Sequence, residues 1–244
     1  MRVPIPKTPI PKIWNDGSTA YIIGGGPSVA YAAGIETPGK DSLAQVAEFL
    51  TPIHTKKIIG VNNAYMLGNW VDVLWFGDSG WFTIHRKNLA RVGYMGLKMS
   101  CHPRFNKNPI AGVVFVPRDM QKPVGITTVN SKVSWNYNSG GCAINLAYHL
   151  GARRIILLGF DMQSGGGKST WQTHWHGGHR DLSHEKRQKK WEPRYLRFLQ
   201  GFPIIAQDAK ALGIEIINAV HPPFGSAIEH FPKIPIQEVL KDGF

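Results

Sequence analysis

The chain has 244 residues, 43% of them hydrophobic, enough to bury the core of one α/β domain. No run approaches the ~18 consecutive apolar residues that span a bilayer. The amino terminus, rich in proline and lysine, lacks the apolar centre of a signal peptide, so the expected compartment is the cytoplasm. Lys and Arg number 28 against 16 Asp and Glu, a formal charge of +12 that favours encounter with nucleic acid, phosphorylated substrates or anionic membrane without choosing among them.

Residues 1–18 carry Pro4, Pro6, Pro9 and Pro11, which remove backbone donors and favour extended structure, so they read as an arm outside the sheet. Residues 19–244 read as a single nucleotide-binding α/β domain. Residues 19–23 form a short apolar strand, ended by Gly24-Gly25-Gly26-Pro27-Ser28. Asp41 and Ser42 can cap a helix whose apolar positions Leu43, Val46, Ala47 and Leu50 recur at helical spacing. A second strand, 57–61, ends at Asn62-Asn63, and a third, 72–76, ends at Gly77-Asp78-Ser79. Residues 113–116 read as the fourth strand. Asn138-Ser139-Gly140-Gly141 opens a helix carrying Ala143, Leu146, Ala147 and Leu150, and the strand 153–158 ends at Gly159-Phe160-Asp161. A last helix over about 192–212 and the strand 214–217 close the domain. This alternation predicts an α/β, Rossmann-like, mostly parallel sheet with helices on both faces, and ligands beyond the carboxyl ends of its strands.

The polar residues collect at those ends. Gly24-Gly25-Gly26-Pro27-Ser28 lets backbone approach an oxyanion ahead of a helix, although it equally fits a plain tight turn. It is not a GxGxxG fingerprint, and no GK[ST] follows. Asn138-Ser139-Gly140-Gly141 offers a second helix start, and two such starts on one edge can bracket a pyrophosphate; the alternative is an ordinary helix cap. Asp161 and Asp78 suit ribose hydroxyls or a divalent ion, or else cap helices. Asn62 and Asn63 suit the edge of a base or sugar, or else a turn.

A loop at about 163–185 gathers His174, His176, His179 and His184, any of which fits a general base for an acceptor hydroxyl. A zinc site on His174, His176 and His179 lacks the support of a nearby cysteine or an HExxH helix, and no metal is expected. Cys101 and Cys142 form no CxxC motif. From Arg180 to Arg197, Lys186, Arg187, Lys189, Lys190 and Arg194 interleave with Trp191 and Tyr195, which makes a polyanion-facing segment or a solvated helix face.

Four strings, Ile-Gly-Gly-Gly-Pro-Ser at 23–28, Gly-Val-Asn-Asn-Ala-Tyr at 60–65, Asn-Ser-Gly-Gly-Cys-Ala at 138–143 and Leu-Gly-Ala-Arg-Arg-Ile-Ile-Leu-Leu-Gly-Phe-Asp at 150–161, resemble in order the motifs of bacterial lipo-oligosaccharide sialyltransferases. They are also similar to a broader Rossmann-like group that includes a pterin pyrophosphokinase and many phage proteins. The resemblance runs over 19–220. It implies a CMP-linked sugar donor used without a metal, and nucleotide contacts from Gly26, Pro27, Ser28, Asn62, Ser139, Gly140 and Asp161. Gly25, Asn63 and Asp78 complete the candidate set. It further implies a histidine base after the Gly-x-Asp strand, with His184 the nearest positional match and His176 and His179 its competitors. Two positions depart from the pattern: Gly25 replaces an amide-bearing asparagine, and Gln163 stands where a tyrosine is expected.

The expected function is a nucleotide-sugar-dependent glycosyltransferase acting on DNA or another polyanion. One alternative is a magnesium-dependent pyrophosphokinase or nucleotidyl transferase using Asp161 and Asp78. Another is a non-catalytic nucleic-acid-binding accessory protein, for which salt-sensitive DNA binding without turnover would be diagnostic.

Overall fold

The short apolar runs pair into one sheet. The computed structural model describes residues 9–15, 17–36, 42–163, 193–223 and 225–241. Its strands are β1 (Ser18–Ile23), β2 (Lys57–Val61), β3 (Val73–Phe76), β4 (Leu97–Ser100), β5 (Val113–Phe115), β6 (Ala152–Leu158), β7 (Glu215–Val220) and β8 (Lys233–Pro235). They form one eight-stranded sheet in the order β5-β4-β3-β2-β1-β6-β7-β8, with every neighbouring pair parallel. Between them run the helices α1 (Ser28–Ala32), α2 (Leu43–Phe49), α3 (Ser79–Arg91), α4 (Arg104–Lys107), α5 (Ser139–Leu150), α6 (193–199) and α7 (Phe202–Ala211), and α8 (Ile236–Val239) follows β8.

Alternation along each strand sends successive side chains to opposite faces and creates two cores. On one face Ile22, Ile59, Trp75 and Leu157 pack with Leu146 and Leu150 of α5 and Ile205 of α7. On the other, Tyr21, Ile23, Phe76 and Leu158 pack with Val29 of α1, Val46 of α2, Trp81 of α3 and Val239 of α8. Each fully buried Leu or Ile contributes roughly 1.5–3 kcal/mol relative to exposure. The fold is α/β and Rossmann-like, with helices on both faces. Among the described residues, no helix is long and apolar enough to cross a membrane.

Several elements differ from the sequence expectation. Residues 113–115 are the fifth strand, because Leu97–Ser100 forms one before them. That strand was illegible: Leu-Lys-Met-Ser alternates apolar and polar over only four residues and has no β-branched residue. The expected final helix is two helices, broken around Gly201, whose added Cβ would lie 3.2 Å from the Asn136 carbonyl oxygen, with Pro203 in the first turn of α7. Residues 9–15 stay outside the sheet but are docked: Ile10 and Trp14 are buried, and their amides donate to the carbonyls of Asn130 (2.7 Å) and Leu150 (3.0 Å).

The chain order fixes where a ligand is expected. From β1 it steps outward through β5, then returns to lay β6 against the other side of β1 and steps out to β8. The switch point therefore lies between β1 and β6, and crevices beyond the carboxyl ends at such points are where α/β sheets bind ligands.

Candidate functional site

At the switch point Ile23 pairs with Leu158, so the loops after β1 and β6 leave the sheet side by side. They are stitched together. The Gly24 amide donates to the Leu158 carbonyl (2.7 Å) and the Gly26 amide to that of Gly159 (2.8 Å). Ser28 donates its amide to Asp161 Oδ2 (2.9 Å) and its hydroxyl to Oδ1 (2.5 Å). Asp161 is 4% exposed, and burial pushes its carboxyl up to about 6 against the opposing pull of the two Ser28 bonds. The amides of Gly24, Gly26 and Ser28 are thus satisfied internally, while that of Gly25 makes no hydrogen bond among the described residues.

The glycines also have a packing cause. An added Cβ would come 3.1 Å from the Phe160 ring at Gly24 and 2.8 Å from it at Gly140, so this buried ring wedges between the two glycine loops. At Gly26 an added Cβ would meet Asp161 Oδ2 at 2.5 Å. A valine at Gly26 or Gly140 would therefore disrupt the fold before it reported on a ligand.

The second loop is capped as an ordinary helix start, with Asn138 Oδ1 accepting from the Gly141 amide (2.7 Å). Ser139 Oγ accepts from the Gly77 amide (3.3 Å), which ties the start of α5 to the end of β3. Upstream, the buried Asn136 exchanges hydrogen bonds with the backbone of Gly125, at 2.7 and 2.9 Å. Pro27 is buried at the N-cap of α1.

Backbone strain concentrates on this edge. The non-glycine residues with positive φ among those described are Asn62 (53°), Asn136 (53°), Tyr137 (60°) and Met162 (49°). Asn62 follows β2, Met162 follows β6, and Asn136 and Tyr137 lead into α5. Left-handed conformations of this kind cost on the order of 1–3 kcal/mol each and gather at functional sites. Asn62 carries a second signal: its Oδ1 is buried without a hydrogen-bond partner among the described residues.

The remaining candidates divide. Asn63 accepts from the Trp81 indole (2.6 Å), and Asp78 caps α3 by accepting from the Gly80 amide (2.7 Å). His174, His176, His179 and His184 lie outside the described residues, as do Lys186, Arg187, Lys189, Lys190 and Trp191. Tyr195 on α6 comes close enough to Asp161 for the carboxylate's charge, after burial, to raise its pKa. Asn136 and Tyr137 were missed; the Asn-Tyr-Asn run at 136–138 was a usable signal, because asparagine tolerates left-handed backbone better than other non-glycine residues. Among the described residues no three His, Cys, Asp or Glu side chains group as metal ligands.

No known family profile matches the sequence. No curated protein matches it significantly either. Among solved structures, the chain is similar to a MAf glycosyltransferase from Magnetospirillum magneticum AMB-1 (TM-score 0.57, 12% identity), with 94% of this chain aligned to 35% of that one. The chain thus spans about a third of that protein's length. The sialyltransferase CstII from Campylobacter jejuni, solved with cytidine-5'-monophosphate, aligns over 95% of this chain and 89% of its own at a TM-score of 0.48 and 14% identity. At these identities the likeness is one of fold.

Proposed function

We propose that the chain is a nucleotide-sugar-dependent glycosyltransferase, sialyltransferase-like in using a CMP-linked donor, with DNA or another polyanion as acceptor. The observation that carries the reading is the gathering of strained backbone and two helix starts on the carboxyl edge around the β1/β6 switch point. The motif resemblance and the fold shared with the Magnetospirillum glycosyltransferase support the reaction class. In this reading the Gly25 amide, the Asn62 amide group and the Ser139 hydroxyl meet the nucleotide, while Asp161 and Ser28 hold the two loops in register. His184 takes the proton of an acceptor hydroxyl as its oxygen attacks the anomeric carbon and CMP leaves, with His176 and His179 as competitors for the role. Asp161 is engaged by the Ser28 amide and hydroxyl and Asp78 caps α3, which favours donor binding by backbone and neutral groups over the magnesium-dependent alternative.

Thermal unfolding with CMP, UDP, GDP and ATP, each with and without magnesium, tests the donor. CMP should raise the melting temperature without magnesium. A rise with ATP alone, dependent on magnesium, would move the protein to the pyrophosphokinase reading, and no response to any nucleotide would remove both. With a working donor, His184→Ala should lower turnover by about two to four orders of magnitude and leave CMP binding in place.

A further inference from the structure

Three residues past the end of β5, on the same carboxyl edge, Arg118 places its guanidinium carbon over the ring of Trp135, 3.9 Å from the centroid. Its Nε is buried with no hydrogen-bond partner, and it makes no ion pair among the described residues. The adjacent acid does not serve it. Asp119 accepts from the Thr127 hydroxyl (2.6 Å) and the Gln121 amide (3.1 Å), and lies 3.5 Å from Lys132 Nζ. A half-buried arginine without a counterion is costly unless an anion completes it. The tryptophan covers one face of the group and Cys101 takes a hydrogen bond from it, and the N–H donors that remain at its edge have the geometry that grips a carboxylate or phosphate.

The surroundings reinforce this. His102, just past β4, receives the Arg104 amide on Nδ1 (3.2 Å), which places the ring proton of the neutral form on Nε2, 3.4 Å from Ser79 Oγ. Burial first, and the charge of Arg118 second, lower the His102 pKa, so the ring stays a neutral donor. A hydrogen bond with Cys142 first, and then the charge of Arg118 and a hydrogen bond from its side chain, hold the buried Cys101 thiol below its ordinary pKa against the effect of burial. The edge of the Trp135 ring packs on Gly77, whose amide meets Ser139 at the start of α5. Arg118 is thus linked to the second helix start, yet the end of β4 lies three strand spacings, roughly 14 Å, from the end of β1. That separation suits the far end of a bound donor, or the acceptor, rather than the nucleotide.

We propose that Arg118, over the Trp135 ring and beside His102, is an oxyanion-binding residue that takes the carboxylate or phosphate of the transferred sugar or of the acceptor. Its assignment to sugar or acceptor rests on the glycosyltransferase reading, but the oxyanion site itself does not. The test is thermal unfolding of the whole chain titrated with inorganic phosphate, and separately with glucuronate, against chloride at matched ionic strength. Phosphate or glucuronate should stabilise the parent protein, and the stronger of the two identifies the anion class. Arg118→Gln should weaken that response at least about tenfold while leaving the shift with CMP unchanged. Arg118→Lys, which keeps the charge but not the fork, should fall between and serves if the glutamine variant does not fold. An equal response in parent and variants, or none to either anion in the parent, overturns the proposal. A parent that responds to phosphate through Arg118 but not to CMP keeps the oxyanion site and removes the donor assignment.

Discussion

Asn62 holds a left-handed conformation that glycine would adopt freely, and it buries an amide oxygen with no hydrogen-bond partner among the described residues. Neither feature stabilises the fold. Asn62→Gly should leave stability unchanged or raise it by up to about 1 kcal/mol, because relief of backbone strain offsets the added freedom of the unfolded chain. The same variant should bind CMP about tenfold more weakly. Urea unfolding and a CMP titration check both halves, and a loss of more than about 2 kcal/mol would make Asn62 a structural residue. At this scale the sequence was partly legible. Asn62 and the glycines at 24, 26 and 140 stand out as residues permitting unusual backbone or close approach. What approaches Gly24 and Gly140 was not, because the Phe160 ring reaches them from the end of a different strand.

At the scale of elements, the start of α5 depends on a buried asparagine. Asn136 accepts from the Gly125 amide and donates to the carbonyls of Gly125, Gly141 (3.2 Å) and Ser134 (3.3 Å), joining the loop after β5 to the first turn of the helix. Asn136→Ala would leave buried partners unsatisfied, and about 3 kcal/mol of stability should be lost. Hydrogen exchange should quicken over residues 123–141 while the central strands stay protected, since the loss is local. Uniform exchange across the sheet would show instead that this loop unfolds only with the whole domain. The strands bounded by glycine or asparagine, β1, β2, β3 and β6, were legible from their apolar runs. α3 was not. Its buried face is Trp81, Phe82 and Leu89, while Ile84 is 72% exposed, so the helical stripe is sparse and blurred.

For the whole molecule, the alternation of strands and helices was enough to read the parallel sheet, but the switch point came from the strand order, which no local pattern encodes. Two buried titratable groups also give the domain a pH dependence that only the folded structure shows. Asp161 binds its proton more tightly when folded, at about 6 against an ordinary 3.8, because burial disfavours the charge. Its contribution is fully present below about pH 4 and lost as pH rises through 6. His149 runs the other way. It is buried near the far end of α5 with Nε2 unpartnered among the described residues, and burial lowers its pKa to about 4 from 6.5 against hydrogen bonds with the backbone of Lys132 and Thr127. Its contribution is fully present above pH 6.5 and lost as pH falls through 4. Each is worth on the order of 3 kcal/mol, so between pH 4 and 6.5 the two nearly cancel. Asp161→Asn should therefore lose about 3 kcal/mol more than the parent on acidification from 6.5 to 4, and His149→Gln about 3 kcal/mol less. An asparagine at 161 can still accept from the Ser28 amide while donating to its hydroxyl, so the loops should remain joined. Urea unfolding at intervals across this range gives the slopes, and variants whose slopes matched the parent's would show that both groups titrate alike in the folded and unfolded chain.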